Sequence, residues 1–501
     1  MAVALPPGTS ETTMERAIRA FVEALGNDGV LTSEEDLREF RDPYAFKGSD
    51  ESAASAVVMP TTVEQVQAVV RIANEHRVPL WTFSQGRNNT YGGPAPRVRG
   101  SVLVNLRRMN RVLEIDDDLA YALVEPGVRF FDLYDALQAG GHRLWPSIPD
   151  LGWGSVIGNT LEYGRGYTPY GDHSTTACGL EVVLPDGDVL RTGMGAMAGN
   201  RSWQAYQRGF GPAPDSLFMQ SNYGIVTKMG VWLMPRPDVY LSGWARFQGD
   251  EPVEPLIEAL RPLLLDGTIR NYPILGQGVG LGGLEIGDET WNLRFALYGR
   301  RHLVEMSWAI VERALSAIPG VEVGRRVFTG DEREGATEHD DKVQGGVPGL
   351  ELMDLFLIPF GESTGHLDLS PLGPLSGPDV TRAIGLMRSF YARHGRPYIA
   401  GLLIQPRSVL HISTSFFDTN DEEQTRQAYA EYGDFVSELA ASGYGLYRTN
   451  IYYMDQVAAT YDFNDGAMRR FHERIKDTLD PNGILSPGKQ GIWPQSMRSA
   501  R

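Results

Sequence analysis

Near the start of the chain, apolar residues recur at helical spacing. Ile18, Phe21, Val22 and Leu25 share one face, with Thr13 before and Gly26 after as caps. The spacing predicts a helix over 14–25. The apolar run 56–59 predicts a strand. Thr62 and Gln65 then form a capping-box pair that opens a helix, whose inner stripe is Val63, Val66, Val70 and Ala73. Strands are predicted at 80–83 and 102–106, on either side of a loop, 84–94, that carries SQGRNNTYGG. Together these elements read as a small α/β unit. Pro185-Asp186-Gly187, between apolar runs 181–184 and 188–190, is a hairpin signal. Beyond Pro235 and Pro237 the texture changes. Residues 238–480 alternate strands and helices with fewer glycine clusters, which predicts a second domain. Its last helix is expected to start near Asn464, to bury Met468, Phe471, Ile475 and Leu479, and to stop at Asp480-Pro481-Asn482-Gly483.

At 501 residues the chain exceeds what one hydrophobic core holds, in keeping with two or more domains. A net charge of −17 argues against nucleic acid or an anionic membrane as partner. Cys178 is the one cysteine, so no internal disulfide forms and no metal site is expected; it reads as a small buried hydrophobe. The start, MAVALPPGTS, lacks the charge and apolar core of a signal peptide, and no stretch is long enough for a membrane span. A soluble cytoplasmic protein is the expectation.

One stretch fits neither helix nor strand. Residues 149–173, PDLGWGSVIGNTLEYGRGYTPYGDH, hold six glycines and three tyrosines. Glycine lets backbone approach a ligand closely, and successive free N–H groups form anion-binding nests. The interleaved Trp153, Tyr163, Tyr167 and Tyr170 distinguish the segment from a flexible linker. It reads as a wall laid along a large, planar, phosphate-bearing cofactor. Yet there is no G-x-x-x-x-G-K-[ST], and no G-x-G-x-x-G opening a helix. Two long loops from separate places must then share the binding.

The segments SQGRNNTYGGPAPRVRGS (84–101), 149–173, EVVLPDGDVLRTGMGA (181–196), SNYGIVTKMG (221–230), LYRTNIYYMDQ (446–456) and DPNGILSPGKQGIWP (480–494) carry a resemblance. Together they resemble the vanillyl-alcohol oxidase and 4-alkylphenol oxidase branch of the flavoprotein family named after p-cresol methylhydroxylase, and most of all its bacterial eugenol oxidases. The resemblance implies an α+β fold. An FAD-binding domain of two α/β subdomains, 1–237 completed by the tail 481–501, would carry an α+β cap domain, 238–480, that holds the substrate. It implies FAD contacts from Ser84, Gly86, Arg87, Asn88 and Asn89 in the first loop. In the second loop they would come from Pro149, Gly152, Ser155, Gly158, Asn159, Tyr170 and Gly171, with further contacts from Gly224, Ile225, Val226 and Lys489. Lys489 stands in a loop-like tail, available to an anion.

The resemblance also implies the chemistry. Members bind para-substituted phenols as phenolates and move a hydride from the benzylic carbon to the flavin, which O2 reoxidises to give hydrogen peroxide. A phenol titrates near pH 10, so ionising it at neutral pH takes about 4 kcal/mol of stabilisation. Two hydrogen-bond donors and a fixed cation supply it; carry-over places them at Tyr91, Tyr447 and Arg448. Asp150 matches the carboxylate beside the flavin's reactive nitrogen, and Tyr167 a tyrosine lining the same pocket. Read without the family, Asp150 is a turn former and Tyr447-Arg448 a packed ring beside a surface charge. Several members bond FAD to a cap-domain histidine. His366, in GESTGHLDLSP, matches that linkage segment, with His411 as runner-up and pocket residue; His76, His302 and His472 read as solvated. Some relatives use a second, N-terminal histidine to promote attachment, and RDPYAFKGSD (41–50) has none. A homodimer is implied. Two alternatives stay open on the same fold: a dehydrogenase that passes electrons to a carrier protein, and a carbohydrate oxidase.

Overall fold

The computed structural model describes residues 4–45, 51–277, 279–280, 283–284 and 289–498, so 46–50 of the segment 41–50 lie outside the described residues. The first helix spans Glu11–Leu25 and starts a turn earlier than its spacing suggests, because the Ser10 hydroxyl accepts the Thr13 amide. It buries Met14, Ala17 and Phe21, while Ile18, Val22 and Leu25 pack at the margin. The next helix, Val63–His76, is capped as the sequence predicts: Thr62 Oγ1 accepts the Gln65 amide, and Gln65 Oε1 accepts the Thr61 N–H at 2.7 Å.

These helices belong to a four-stranded sheet ordered Val30–Leu31, Ala56–Val58, Val102–Asn105 and Leu80–Phe83, whose last three strands run parallel. A second, antiparallel sheet follows in the order Val112–Asp116, Tyr121–Val124, Ile225–Trp232, Ala177–Val183, Val189–Arg191. Its last two strands form the predicted hairpin, which turns at Gly187 with φ 86°. Val183 and Ile225 of this sheet bury into the core that holds Phe21, Val66 and Val102, so the two α/β units are packed as one body.

The second half is organised around a nine-stranded antiparallel sheet. Its central strands are Val239–Gln248, Thr290–Gly299, Ile274–Gln277, Ala400–Ile404 and Ser408–Asp418, in spatial order. Alternation decides what each face does. From the strand Thr290–Gly299, Trp291, Leu293, Phe295 and Leu297 bury into one core with the helices Val253–Leu265 and Arg301–Ser316. The intervening Asn292 and Arg294 look the other way, into a cavity against the first half.

After the strand Gly445–Leu446 the chain crosses back, earlier than the expected boundary at 480. Ile451 and Met454 bury against Trp81 and Phe83. The Leu80 amide donates to Ile484 O at 2.7 Å, and the Ser486 amide donates to Leu80 O at 2.8 Å. The helix Phe463–Leu479 lies between these contacts and does not bury the face its pattern suggests. Ile475 and Leu479 are partly buried, but Met468 is 57% and Phe471 54% exposed, while Lys476 is fully buried. The tail wraps the helix on the lysine side and, with Asn222, supplies its partners. Lys476 Nζ reaches Asp480 Oδ2 at 2.7 Å, Asn222 O at 2.8 Å and Leu485 O at 2.6 Å. Asp480 in turn accepts the Ile484 and Leu485 amides at 3.0 and 2.8 Å.

Every donor of the ammonium is thus matched, and removing it strands a buried carboxylate. Lys476→Met should lower stability in chemical denaturation by about 3–5 kcal/mol. Phe471→Ala, on the exposed face, should stay within about 0.5 kcal/mol of the native protein.

Candidate active site

A cavity of about 850 Å³ lies between the two glycine-rich loops and the open face of the large sheet. Ser84, Gly86, Arg87, Asn88, Asn89, Pro149, Ser155, Gly158, Asn159, Gly224, Ile225, Val226, His366 and Lys489 all line it. Gly86 takes φ 62°, in the left-handed region. At Gly158 a Cβ would fall 2.2 Å from Ser84 Oγ, so the two loops touch because that residue has no side chain. Gly152, Tyr170 and Gly171 do not line the cavity and instead close the second loop on itself and its neighbours. A Cβ at Gly152 would meet Pro348 at 2.7 Å, and one at Gly171 the Gly166 carbonyl at 2.4 Å. Tyr170 packs against the cluster of Trp145, Tyr240 and Tyr298. Nor is Lys489 a free cation, since its Nζ pairs with Glu162 Oε1 at 2.5 Å.

Arg448 forms one end of the cavity. Its guanidinium carbon lies 5.8 Å from the centre of the Tyr91 ring and 5.1 Å from that of Tyr447. Nε donates to the Glu162 carbonyl, whereas Nη2 is buried with no hydrogen-bond partner. Burial raises the Tyr91 hydroxyl well above its usual titration range, so that ring is a neutral donor. Tyr447 does not line the cavity; its ring packs beside Arg448 while its carbonyl accepts from Gln220 at 2.9 Å. Behind them His173 bonds Asn159 Oδ1 at 2.6 Å. Burial, with the charges of Arg165 and Arg448, pushes its pKa down to about 3, so it is neutral.

Asp150 forms a second charged centre. It accepts from Arg294 Nη2 at 2.9 Å, from His339 Nε2 at 3.0 Å and from the Tyr167 hydroxyl. Arg294 also pairs with Asp340, and its guanidinium lies 4.2 Å over the Tyr167 ring. Burial by itself would raise the Asp150 pKa, but the Arg294 charge, then His339 and Tyr167, hold it well below the usual carboxylate range. Sequence reasoning missed Arg294, His339 and Asp340. A signal for the first was present: a lone arginine in the apolar strand segment WNLRFALY needs a buried partner.

His366 lies on the strand Thr364–Leu369, stacked on Phe356 with ring centres 4.4 Å apart, and its Nδ1 is 3.0 Å from the Tyr44 hydroxyl. Burial lowers its pKa. The expectation that His411 is a pocket residue does not hold. Its neighbour in the strand, Ile412, faces the cavity, so alternation turns His411 to the opposite face. There burial pushes its pKa down to about 4. His472, expected to be solvated, bonds the Tyr223 hydroxyl at 2.9 Å.

Two glycine loops in contact, a long cavity behind them and aromatic walls fit FAD. The first loop, Ser155, Gly158, Asn159 and 224–226 would hold it. Fold and cavity define an FAD-dependent oxidoreductase. The chain belongs to the FAD-linked oxidases of the p-cresol methylhydroxylase type. The family described as FAD binding domain matches residues 54–193, and that described as FAD linked oxidases, C-terminal domain, matches 407–490. The chain is 35% identical to the 4-cresol dehydrogenase (hydroxylating) flavoprotein subunit of Pseudomonas putida, over 97% of each. It superimposes on 4-ethylphenol oxidase from Gulosibacter chungangensis, in complex with isoeugenol, with a TM-score of 0.92 and 37% identity over 99% of this chain and 100% of that one. For p-cresol methylhydroxylase with substrate bound the values are 0.91 and 34%, over 98% and 99%. Among the described residues no helix is long and apolar enough to cross a membrane.

A methyl group at the loop contact should disturb FAD binding. In a His366→Ala background, where no covalent bond retains the cofactor, Gly158→Ala should raise the dissociation constant for FAD by about tenfold or more, the scale of an overpacked contact. Adding Ser84→Ala, which removes the clashing oxygen, should restore much of the affinity.

Proposed function

We propose that the protein oxidises para-alkyl and para-hydroxymethyl phenols bound as phenolates. The observation that carries this reading is the buried, unpartnered Nη2 of Arg448, flanked by Tyr91, in a cavity that also contains Asp150. A buried guanidinium with an open donor calls for an anion, and a planar aromatic one suits the surrounding rings. Two of the similar proteins bear names that state action on such phenols, 4-cresol and 4-ethylphenol.

Arg448 and Tyr91 would hold the phenolic oxygen, with Tyr447 bracing Arg448 from behind. FAD supplies the acceptor for the hydride that leaves the benzylic carbon. Asp150 would face that carbon, its charge fixed by Arg294, His339 and Tyr167. A carboxylate held so strongly ionised is a weak proton acceptor. Its role here is to orient the attacking water or the substrate alcohol through a charge-assisted hydrogen bond. His366 is the proposed covalent anchor: it is buried, faces the cavity and has Nδ1 engaged by Tyr44, which leaves Nε2 for the bond. O2 is the proposed final electron acceptor. The likeness to a dehydrogenase subunit keeps a carrier protein as the second reading. Oxygen consumption with stoichiometric peroxide supports the first; a phenol-bleached flavin that air does not restore supports the second.

In the absence of oxygen 4-ethylphenol should bleach the flavin, while its O-methyl ether, which cannot ionise, should not. Arg448→Ala should slow bleaching by ~10²-fold at pH 7, as for loss of one anion-stabilising donor. Activity should recover in part toward pH 10, where the phenol ionises unaided. Rapid oxidation of the ether, or an Arg448→Ala variant as active as the native enzyme at pH 7, would refute the phenolate reading.

After acid precipitation the flavin should stay with the native chain and appear in the supernatant of His366→Ala. A variant that keeps its flavin through precipitation would overturn His366 as the anchor.

A further inference from the structure

His366 does not stand alone on its face of the sheet. Alternation along Thr364–Leu369 puts Asp368 on the same side, two residues on, and both line the cavity. Asp368 Oδ2 lies 4.0 Å from His366 Nε2, within ion-pair reach. Its other oxygen, Oδ1, accepts from the hydroxyl of Thr414, its partner across the sheet, at 2.7 Å. The backbone is pinned as well, since the Asp368 amide donates to Thr90 Oγ1 at 2.7 Å. The side chain is 17% exposed, and among the described residues His366 is the one basic group that pairs with it. A carboxylate so nearly buried, with no guanidinium or ammonium to answer it, is costly to keep. The phenol chemistry has no use for it, because Asp150 serves the benzylic carbon.

The two ring nitrogens of His366 meet different groups. Tyr44 sets a hydroxyl 3.0 Å from Nδ1, and Phe356 stacks on the ring with centres 4.4 Å apart, which holds the plane of the imidazole. An ionised carboxylate only accepts hydrogen bonds, whereas a hydroxyl can donate. Together they select the tautomer in which Nδ1 accepts from Tyr44 and Nε2 carries its proton toward Asp368. Burial lowers the His366 pKa, so the ring is neutral with that single N–H.

A protonated Nε2 is no nucleophile, because its lone pair belongs to the ring. To bond the flavin it must lose the proton as it attacks, and an adjacent base is the usual means. Resting on His366 as the anchor, we propose that Asp368 is the general base of the protein's own flavin attachment, taking the Nε2 proton as the N–C bond to a ring methyl of the flavin forms. Two bonds break, Nε2–H and one C–H of that methyl, and one N–C bond replaces them. The two electrons released reside on the flavin and pass to O2, the acceptor proposed for turnover, which departs with the two protons as hydrogen peroxide. No second histidine is required, in keeping with RDPYAFKGSD (41–50), which has none.

The test uses the full-length protein made in cells starved of riboflavin and then supplied with FAD. Attachment is read over time as the flavin that stays with the chain after acid precipitation, against the total bound before it. Asp368→Asn keeps the size and an acceptor for Thr414 but is not basic. It should bind FAD to the native level and attach it ~10²-fold more slowly, the scale of a lost general base. Asp368→Glu, which restores the carboxylate, should recover much of the rate. An Asp368→Asn variant that attaches FAD at the native rate, that fails to bind FAD at all, or that is matched in slowness by Asp368→Glu would overturn the proposal. A native chain without covalent flavin, or a His366→Ala variant that keeps it, would instead overturn the anchor itself.

Discussion

The contact on which the site depends is the one between Arg294 and Asp150. It joins a strand of the large sheet to the glycine-rich loop of the first half, 144 residues apart in the chain. Arg294 is almost wholly buried and answered on three sides, by Asp150, by Asp340 and by the face of Tyr167. Such a group adds little net stability, because taking both charges out of water costs about what their attraction returns. Its effect is geometric. With the charges matched, the loop sits at one height above the sheet, and the carboxylate stays ionised in a place where burial would otherwise protonate it.

The large sheet turns that constraint into a cavity. Each strand offers two faces, and helices cover only one of them. On the open face the side chains are of unlike kinds: Arg294 and Asn292 at one side, isoleucines in the middle, His366 toward the other. The first half supplies the opposite wall with glycine loops that carry Tyr91 and Asp150. Neither half holds Arg448, which arrives on the segment that crosses back after the last strand of the sheet. Three separate parts of the chain therefore have to close before the cavity exists.

That closure is secured by a second buried ion pair. Lys476 and Asp480 tie the last helix to Asn222 and to the tail, and the tail pairs with the strand Leu80–Phe83 whose end opens the first glycine loop. Lys476 and Arg448 differ in kind. The lysine's donors are spent on fixed backbone carbonyls and one carboxylate, so it is a strut. Arg448, half-buried in the cavity wall, keeps its Nη2 without a hydrogen-bond partner in a wall that a ligand can reach.

Local chemistry was legible in the sequence. The capping of Val63–His76, the hairpin turn at Gly187, and the two glycine loops each follow from residues a few positions apart, where backbone conformation and side-chain reach are set by neighbours. The resemblance of long segments added Tyr91, Asp150, Arg448 and His366, which spacing alone left ambiguous. What the sequence could not decide was phase and partnership. His366 and His411 stand on strands that pair with each other, and alternation says only that successive residues point opposite ways, not which face the helices will cover. Met468 and Phe471 look like the buried side of a helix until the tail wraps the other side and, with Asn222, supplies carbonyls for Lys476. Arg294 and His339 meet Asp150 from 144 and 189 residues away. A charge buried with its partner leaves no periodic trace, because its burial is decided by the far end of the chain, and only the tertiary structure brings that end near.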